Sequence, residues 1–241
     1  MLHAIVNSPT QEWQPFGLQH WMALLVACIA CVNLLAFRRE AARVRLDIWL
    51  VCAMLAVHIT WVVLALSTGL AGGGDLLPLY TCDAAILAGV AWCIWKPRWL
   101  GHVLFYWAFL GGVVTLLLPD TFGYALPHFA VVYTLLFHIL LLVLGLEVWA
   151  VEGVRPSWWS LVPVCPATAA LIPLALVANA TFGSDYMFVS RNPGGIFTFL
   201  DDFEGVARVG LTVLSAAGIL VVGLCVWFVM DRLLQRWDAT R

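Results

Sequence analysis

Long apolar runs alternate with short polar ones along the whole chain. The runs cover 17–37, 47–70, 76–95, 99–118, 127–149, 158–179 and 206–230. Each approaches the ~20 residues that an α-helix needs to cross the hydrocarbon core of a bilayer. The connections at 38–46, 71–75, 96–98, 119–126 and 150–157 are short, and polar or rich in Gly and Pro. Only 180–205 is long. No internal repeat or composition break divides the chain. The pattern predicts an all-α, polytopic membrane helix bundle of about seven transmembrane helices, forming a single integral membrane domain over 1–241.

Composition agrees. The chain is 63% hydrophobic and 11% charged, against roughly 25% charged in soluble domains. So little charge cannot cover a water-facing surface. The basic residues sort by side. Arg38, Arg39, Arg43, Arg45, Lys96, Arg98, Arg155, Arg232, Arg236 and Arg241 fall on one set of connections, and only Arg191 and Arg208 on the other. The positive-inside rule then puts the N-terminus outside and the C-terminus in the cytoplasm. Trp49, Trp95, Trp99, Trp149, Trp158, Trp159 and Trp237 lie near the cytoplasmic ends, while Trp13 and Trp21 mark the outer face. The first fifteen residues contain no Lys or Arg, so no signal peptide is expected. The expected location is the plasma membrane. Membrane lipids are the expected partners; the net charge of −2 and the lack of a basic block give no support to nucleic acid.

Ionisable residues inside spans are costly and mark function by default. Here they gather toward the outer half: His20 on the first span, Cys82 and Asp83 on the third, Asp120 after the fourth, and His128 and His138 on the fifth. Asn179 closes the sixth, and Asp185 and Tyr186 follow it. His58 lies near the middle of the second span and His102 near the inner end of the fourth. Each has a bland reading, since a buried histidine can simply bond a neighbouring helix and Asp120 follows Pro119 in a loop. Their convergence suggests a polar cavity open to the outer side.

The sharpest local signal is Leu76-Leu77-Pro78-Leu79-Tyr80-Thr81-Cys82-Asp83. Pro78 favours a helix start or a non-helical approach. With Thr81 as N-cap, the helix to Trp95 is too short to cross alone, so the preceding residues are expected to enter as irregular backbone beside protein or a water-filled cavity. Cys82 then sits at a helix N-terminus, where a thiolate is favoured and free N–H groups can hold an oxyanion. His138 lies ~16 Å below Pro127 along a helix. Cys82 reaches ~16 Å only if the chain before it is extended. His128 is shallower and is a rival base.

The remaining cysteines read as small hydrophobes. Cys28 and Cys31 share a helix face, but no second ligand pair is near, so no metal is expected. Paired histidines can ligate haem, yet nothing in this spacing demands it, and no cofactor is expected.

Several segments together carry a family resemblance: LPLYTCD, FYWAFLGG followed by LLPD, PHF, His138, GVRPSWWS and NATFGSDYMFVSRNP. In these the chain resembles the YwaF-like integral membrane proteins of bacteria, a group related to the animal transmembrane protein 164 acyltransferases. The animal relatives are regarded as transacylases with a cysteine nucleophile and a histidine. The resemblance places these roles on Cys82 and His138. Where the family usually has His or a similar residue, this chain has Tyr80.

The expected function is a membrane-embedded lipid acyltransferase, transacylase or acyl hydrolase working through a thioester on Cys82. His138 serves as base, and His20, Asp83, Asp120, His128, Asn179 and Tyr186 support it. A small-solute transporter or a non-catalytic lipid-binding protein would share the same polar cavity. Against a transporter, the chain has no repeated half and no matched pair of broken helices.

Overall fold

The computed structural model describes residues 13–188, 202–203 and 205–239. The stretch before residue 13, Arg191 with its neighbours in the long connection, the side chain of Trp237, and Arg241 lie outside the described residues. Eight α-helices follow: α1 (Leu18–Ala36), α2 (Arg38–Arg43), α3 (Leu46–Thr68), α4 (Thr81–Trp95), α5 (Arg98–Leu117), α6 (Phe129–Ala150), α7 (Leu161–Phe182) and α8 (Gly205–Ala239). No strand occurs among them. Among the described residues, six helices are long and apolar enough to cross a membrane, and α4 is a shorter apolar helix of 15 residues. The chain is a multi-pass membrane protein of all-α class. The short α2 was not expected; it carries Arg38, Arg39 and Arg43 between the first two long helices.

Local chemistry sets the helix ends. Gly69 (φ 70°) and Gly183 (φ 70°) close α3 and α7 in the left-handed conformation that glycine adopts without strain. Pro97 precedes α5 and His128 caps α6. Pro166 and Pro173 lie within α7, which a membrane helix tolerates where neighbouring groups re-satisfy the freed carbonyls.

Helices α5 and α6 form the central pair. Gly112 lies against the Leu142 backbone, and Gly145 against that of Phe109; a Cβ on Gly145 would meet Phe109 N at 2.6 Å. Small residues let the two backbones close together where lipid offers no hydrophobic driving force. Around this pair sit α1, α3, α4 and α7, with α8 packing Trp227 edge-on against Phe105 and Trp149.

Successive long helices run in opposite directions, as two sets of contacts show. At one end, Arg45 and Asp47 before and within α3 meet Cys93 and Lys96 at the end of α4 and Glu152 after α6. At the other, His20 of α1 meets the Leu116 carbonyl of α5, and Tyr186 after α7 meets Gly74 and Leu77 before α4. The first is the basic end of the sequence pattern. The second carries Cys82 and is called the Cys82 end below.

Candidate functional site

Helix α4 starts where the glycines and the single proline, Pro78, before it allow. Gly73–Asp75 form a single 3-10 turn, and Tyr80 is extended (φ −77°, ψ 148°) as the N-cap. The expected break between Leu76 and Thr81 is present. Tyr80, not Thr81, occupies the cap position, and no side chain bonds there. At 15 residues the helix is ~22 Å long, short of the ~30 Å thickness of a hydrocarbon core. Ala84 N makes the first intrahelical bond, to Tyr80 O at 2.9 Å. The N–H groups of Thr81, Cys82 and Asp83 precede it and belong to the free donors of a helix start.

Cys82 is in that first turn, directed at α5. Gly111 provides the space: a Cβ there would lie 2.6 Å from the Cys82 sulfur and 3.5 Å from a methyl of Leu141. Asp83, Thr81 and Thr115 are polar neighbours of the thiol.

His138 lies on α6, one turn along the helix from the Leu141 methyl that borders the Gly111–Cys82 contact. Opposite Gly112 lies Leu142, so one turn further toward the Cys82 end brings His138 level with Leu116, beside Thr115. Leu141, which touches the Gly111–Cys82 contact, is one turn below His138 on the same face. The His138 Nδ1–H donates to Thr134 O at 2.7 Å. A carbonyl can only accept, so Nδ1 carries the proton and Nε2 presents a lone pair. No hydrogen bond joins Cys82 to His138 in this arrangement: Nε2 has no hydrogen-bond partner among the described residues.

A second polar group borders the first. Asp83 Oδ1 lies 3.9 Å from His58 Nδ1, which in turn is 3.0 Å from the Tyr133 hydroxyl. Tyr133 stacks on Phe137, whose ring meets His138 edge-on. Asp83 therefore sits beside a histidine, but that histidine is His58.

The other expected members have other partners. His20 is fully buried; its Nδ1 accepts from Phe16 N and its Nε2–H donates to Leu116 O at 2.7 Å. His128 stacks on Tyr124 at 3.7 Å, and its Nδ1 accepts from Ala130 N as the cap of α6. The Asp120 carboxylate accepts from Phe122 N within its own turn, and its carbonyl accepts from Thr134. Among the described residues, no hydrogen bond or ion pair joins Asp120 to a histidine. Asn179 holds Tyr186 by both backbone groups, with Oδ1 accepting at 2.7 Å and Nδ2 donating at 3.1 Å. The Tyr186 hydroxyl donates to Gly74 O and accepts from Leu77 N, both at 2.7 Å. Ser184 donates to the same Gly74 carbonyl, and the Tyr80 hydroxyl donates to Asp185 O. Asn179 and Tyr186 thus form a latch that holds the irregular approach to Cys82 in place. Burial pushes the Tyr186 phenol up to about 12.

Sequence reasoning passed over Gly111, Thr115 and Tyr133, and left His58 outside the site. Gly111-Gly112 within an apolar run was the available signal for close helix contact. Nothing in the sequence indicates that Tyr133 and His58 meet. Among the described residues, the one set of acidic side chains close enough to share an ion is at the basic end.

Comparison with known proteins gives one assignment. The sequence pattern of the TMEM164 family matches residues 15–230, which includes Cys82, His138 and the other candidate site residues. No curated protein matches the chain, and no solved structure does.

Proposed function

The chain belongs to the TMEM164 family, and on that premise we propose that it is a lipid acyltransferase embedded in the plasma membrane, with its N-terminus outside. The observation that carries the reading is the tautomer of His138: its Nδ1 is committed to Thr134 O, which leaves Nε2 as a proton acceptor on the helix whose Leu141 borders the Gly111–Cys82 contact.

The chemistry follows from those atoms. Cys82 gives its proton to His138 Nε2, and the sulfur attacks the ester carbonyl of a lipid. The N–H groups of the first turn of α4 hold the developing oxyanion. Collapse breaks the C–O bond, and His138 returns the proton to the leaving alcohol. A thioester remains on Cys82. A lysolipid hydroxyl then gives its proton to His138 and attacks the thioester; the C–S bond breaks, and the departing Cys82 sulfur takes the proton back from His138. With water as acceptor, the outcome is hydrolysis. The absent Cys82–His138 hydrogen bond is consistent with a pair that closes only around substrate. Asp83, His58 and Tyr133 keep the flank of the site polar, and the Asn179–Tyr186 latch fixes the approach to α4.

The test uses purified protein, a phospholipid with a labelled acyl chain and a lysolipid. Wild type should carry label on the protein and pass it to the lysolipid. Cys82→Ser should do neither, because an alcohol is far less ionised than a thiol. Equal transfer by wild type and Cys82→Ser would end the thioester reading.

A further inference from the structure

At the basic end, three carboxylates come together from three parts of the chain. Asp47 is in the first turn of α3, Glu147 is in the last turns of α6, and Glu152 is in the connection that follows. One oxygen from each lies within 4.8 Å of the other two. Asp47 is fully buried, Glu147 is 1% exposed and Glu152 is half-buried.

The cations present satisfy only two of them. Lys96 pairs with Asp47 at 3.1 Å and with Glu152. Arg45 grips Asp47 by two hydrogen bonds, at 3.1 and 3.2 Å. Glu147 pairs with neither, and its Oε2 is buried without a hydrogen-bond partner among the described residues. A buried carboxylate without a counter-charge is costly. Both bonded cations sit on left-handed backbone, Arg45 at φ 52° and Lys96 at φ 47°. Non-glycine residues hold that conformation only where the surroundings impose it.

We propose that Asp47, Glu147 and Glu152 form a binding site for a hard divalent cation, Ca²⁺ or Mg²⁺. The donors are all carboxylate oxygens, the set that such ions prefer over softer metals. The spacing fits: opposite ligands of a bound Ca²⁺ lie about 5 Å apart, so little rearrangement is needed. Lys96 is the resident competitor. It is on the short connection between α4 and α5, part-exposed, and can swing outward when a divalent ion takes the charge. The bound ion ties the start of α3 to the end of α6, the helix that carries His138.

Thermal unfolding of the detergent-purified full chain tests this, with CaCl₂, MgCl₂ or MnCl₂ added alone and KCl holding ionic strength constant. Wild type should unfold about 5 °C higher at a hundredfold excess of ion over its dissociation constant. Glu147→Gln keeps the shape and removes the charge, and the shift should vanish. Lys96→Gln removes the competitor and should tighten apparent affinity about tenfold; this arm is independent of whether Glu147→Gln folds. No shift with any of the three ions in both wild type and Lys96→Gln overturns the site. So does a shift in Glu147→Gln equal to wild type. Unchanged affinity in Lys96→Gln overturns the displacement of the lysine.

Discussion

Gly111 has no side chain where Cys82 has its sulfur: a Cβ at Gly111 would lie 2.6 Å from Sγ. The position of the thiol therefore depends on a missing methyl group on another helix. Gly111→Ala should push the thiol away from Thr115. If Cys82 is the nucleophile, a displacement of about 1 Å costs on the order of 100-fold in rate. Acyl transfer measured beside the wild type checks this. Unchanged transfer in a folded Gly111→Ala protein would mean that the thiol position is irrelevant to the reaction.

The two histidines of α6 should separate. His138→Ala should lose acyl transfer as completely as Cys82→Ser, because nucleophile and base act as one unit and their losses do not add. His128→Ala removes a cap whose Nδ1 accepts from Ala130 N at 3.2 Å. Its cost should fall on stability, about 1 kcal/mol, with transfer per folded molecule close to wild type. If only His128→Ala is inactive, the base has been misassigned and the cysteine stands.

Tyr186→Phe should loosen the approach to α4. It deletes a donor to Gly74 O and an acceptor for Leu77 N, at about 1 kcal/mol for each bond. Limited proteolysis across 72–80 and the unfolding midpoint both report it. The phenol is pushed up to about 12 by burial, above the ordinary ~10. Its contribution is thus complete below pH ~10 and is lost as pH rises through ~12. Wild type and Tyr186→Phe should converge in stability over that window. A constant difference between them from pH 8 to 12 would contradict the burial of the phenol.

Gly145→Ala should separate the central helices. Its Cβ would meet the Phe109 backbone at 2.6 Å, and backbone cannot rotate away as a side chain can. Overpacking of this kind costs about 1–3 kcal/mol or more. A lowered unfolding midpoint with an unchanged helical spectrum is the expected result. Gly218→Ala, where a Cβ would find nothing within 4 Å, should be close to neutral by the same measurement.

The sequence by itself determined the elements. Hydropathy spacing located all seven apolar helices, because a bilayer imposes one length and one solvent on each of them; most ends fall within three residues, while α4 starts five residues after its apolar run begins and α8 continues nine residues past its own. It also placed the break before Cys82, since Pro78 and the short run to Trp95 leave no room for a straight span. These signals act within a single segment, so they can be read from it. Contacts between segments carry no such local mark. Only the tertiary structure decided that Cys82 faces Gly111, that Asp83 sits beside His58, and that His20 and His128 are committed to backbone groups. It also decided that Asp47, Glu147 and Glu152 converge, although 100 residues of sequence separate the first two. Each depends on the rotation of one helix about its axis relative to another. That angle is set by which side chains interlock across the α5–α6 seam and its neighbours, and not by how apolar any one of them is.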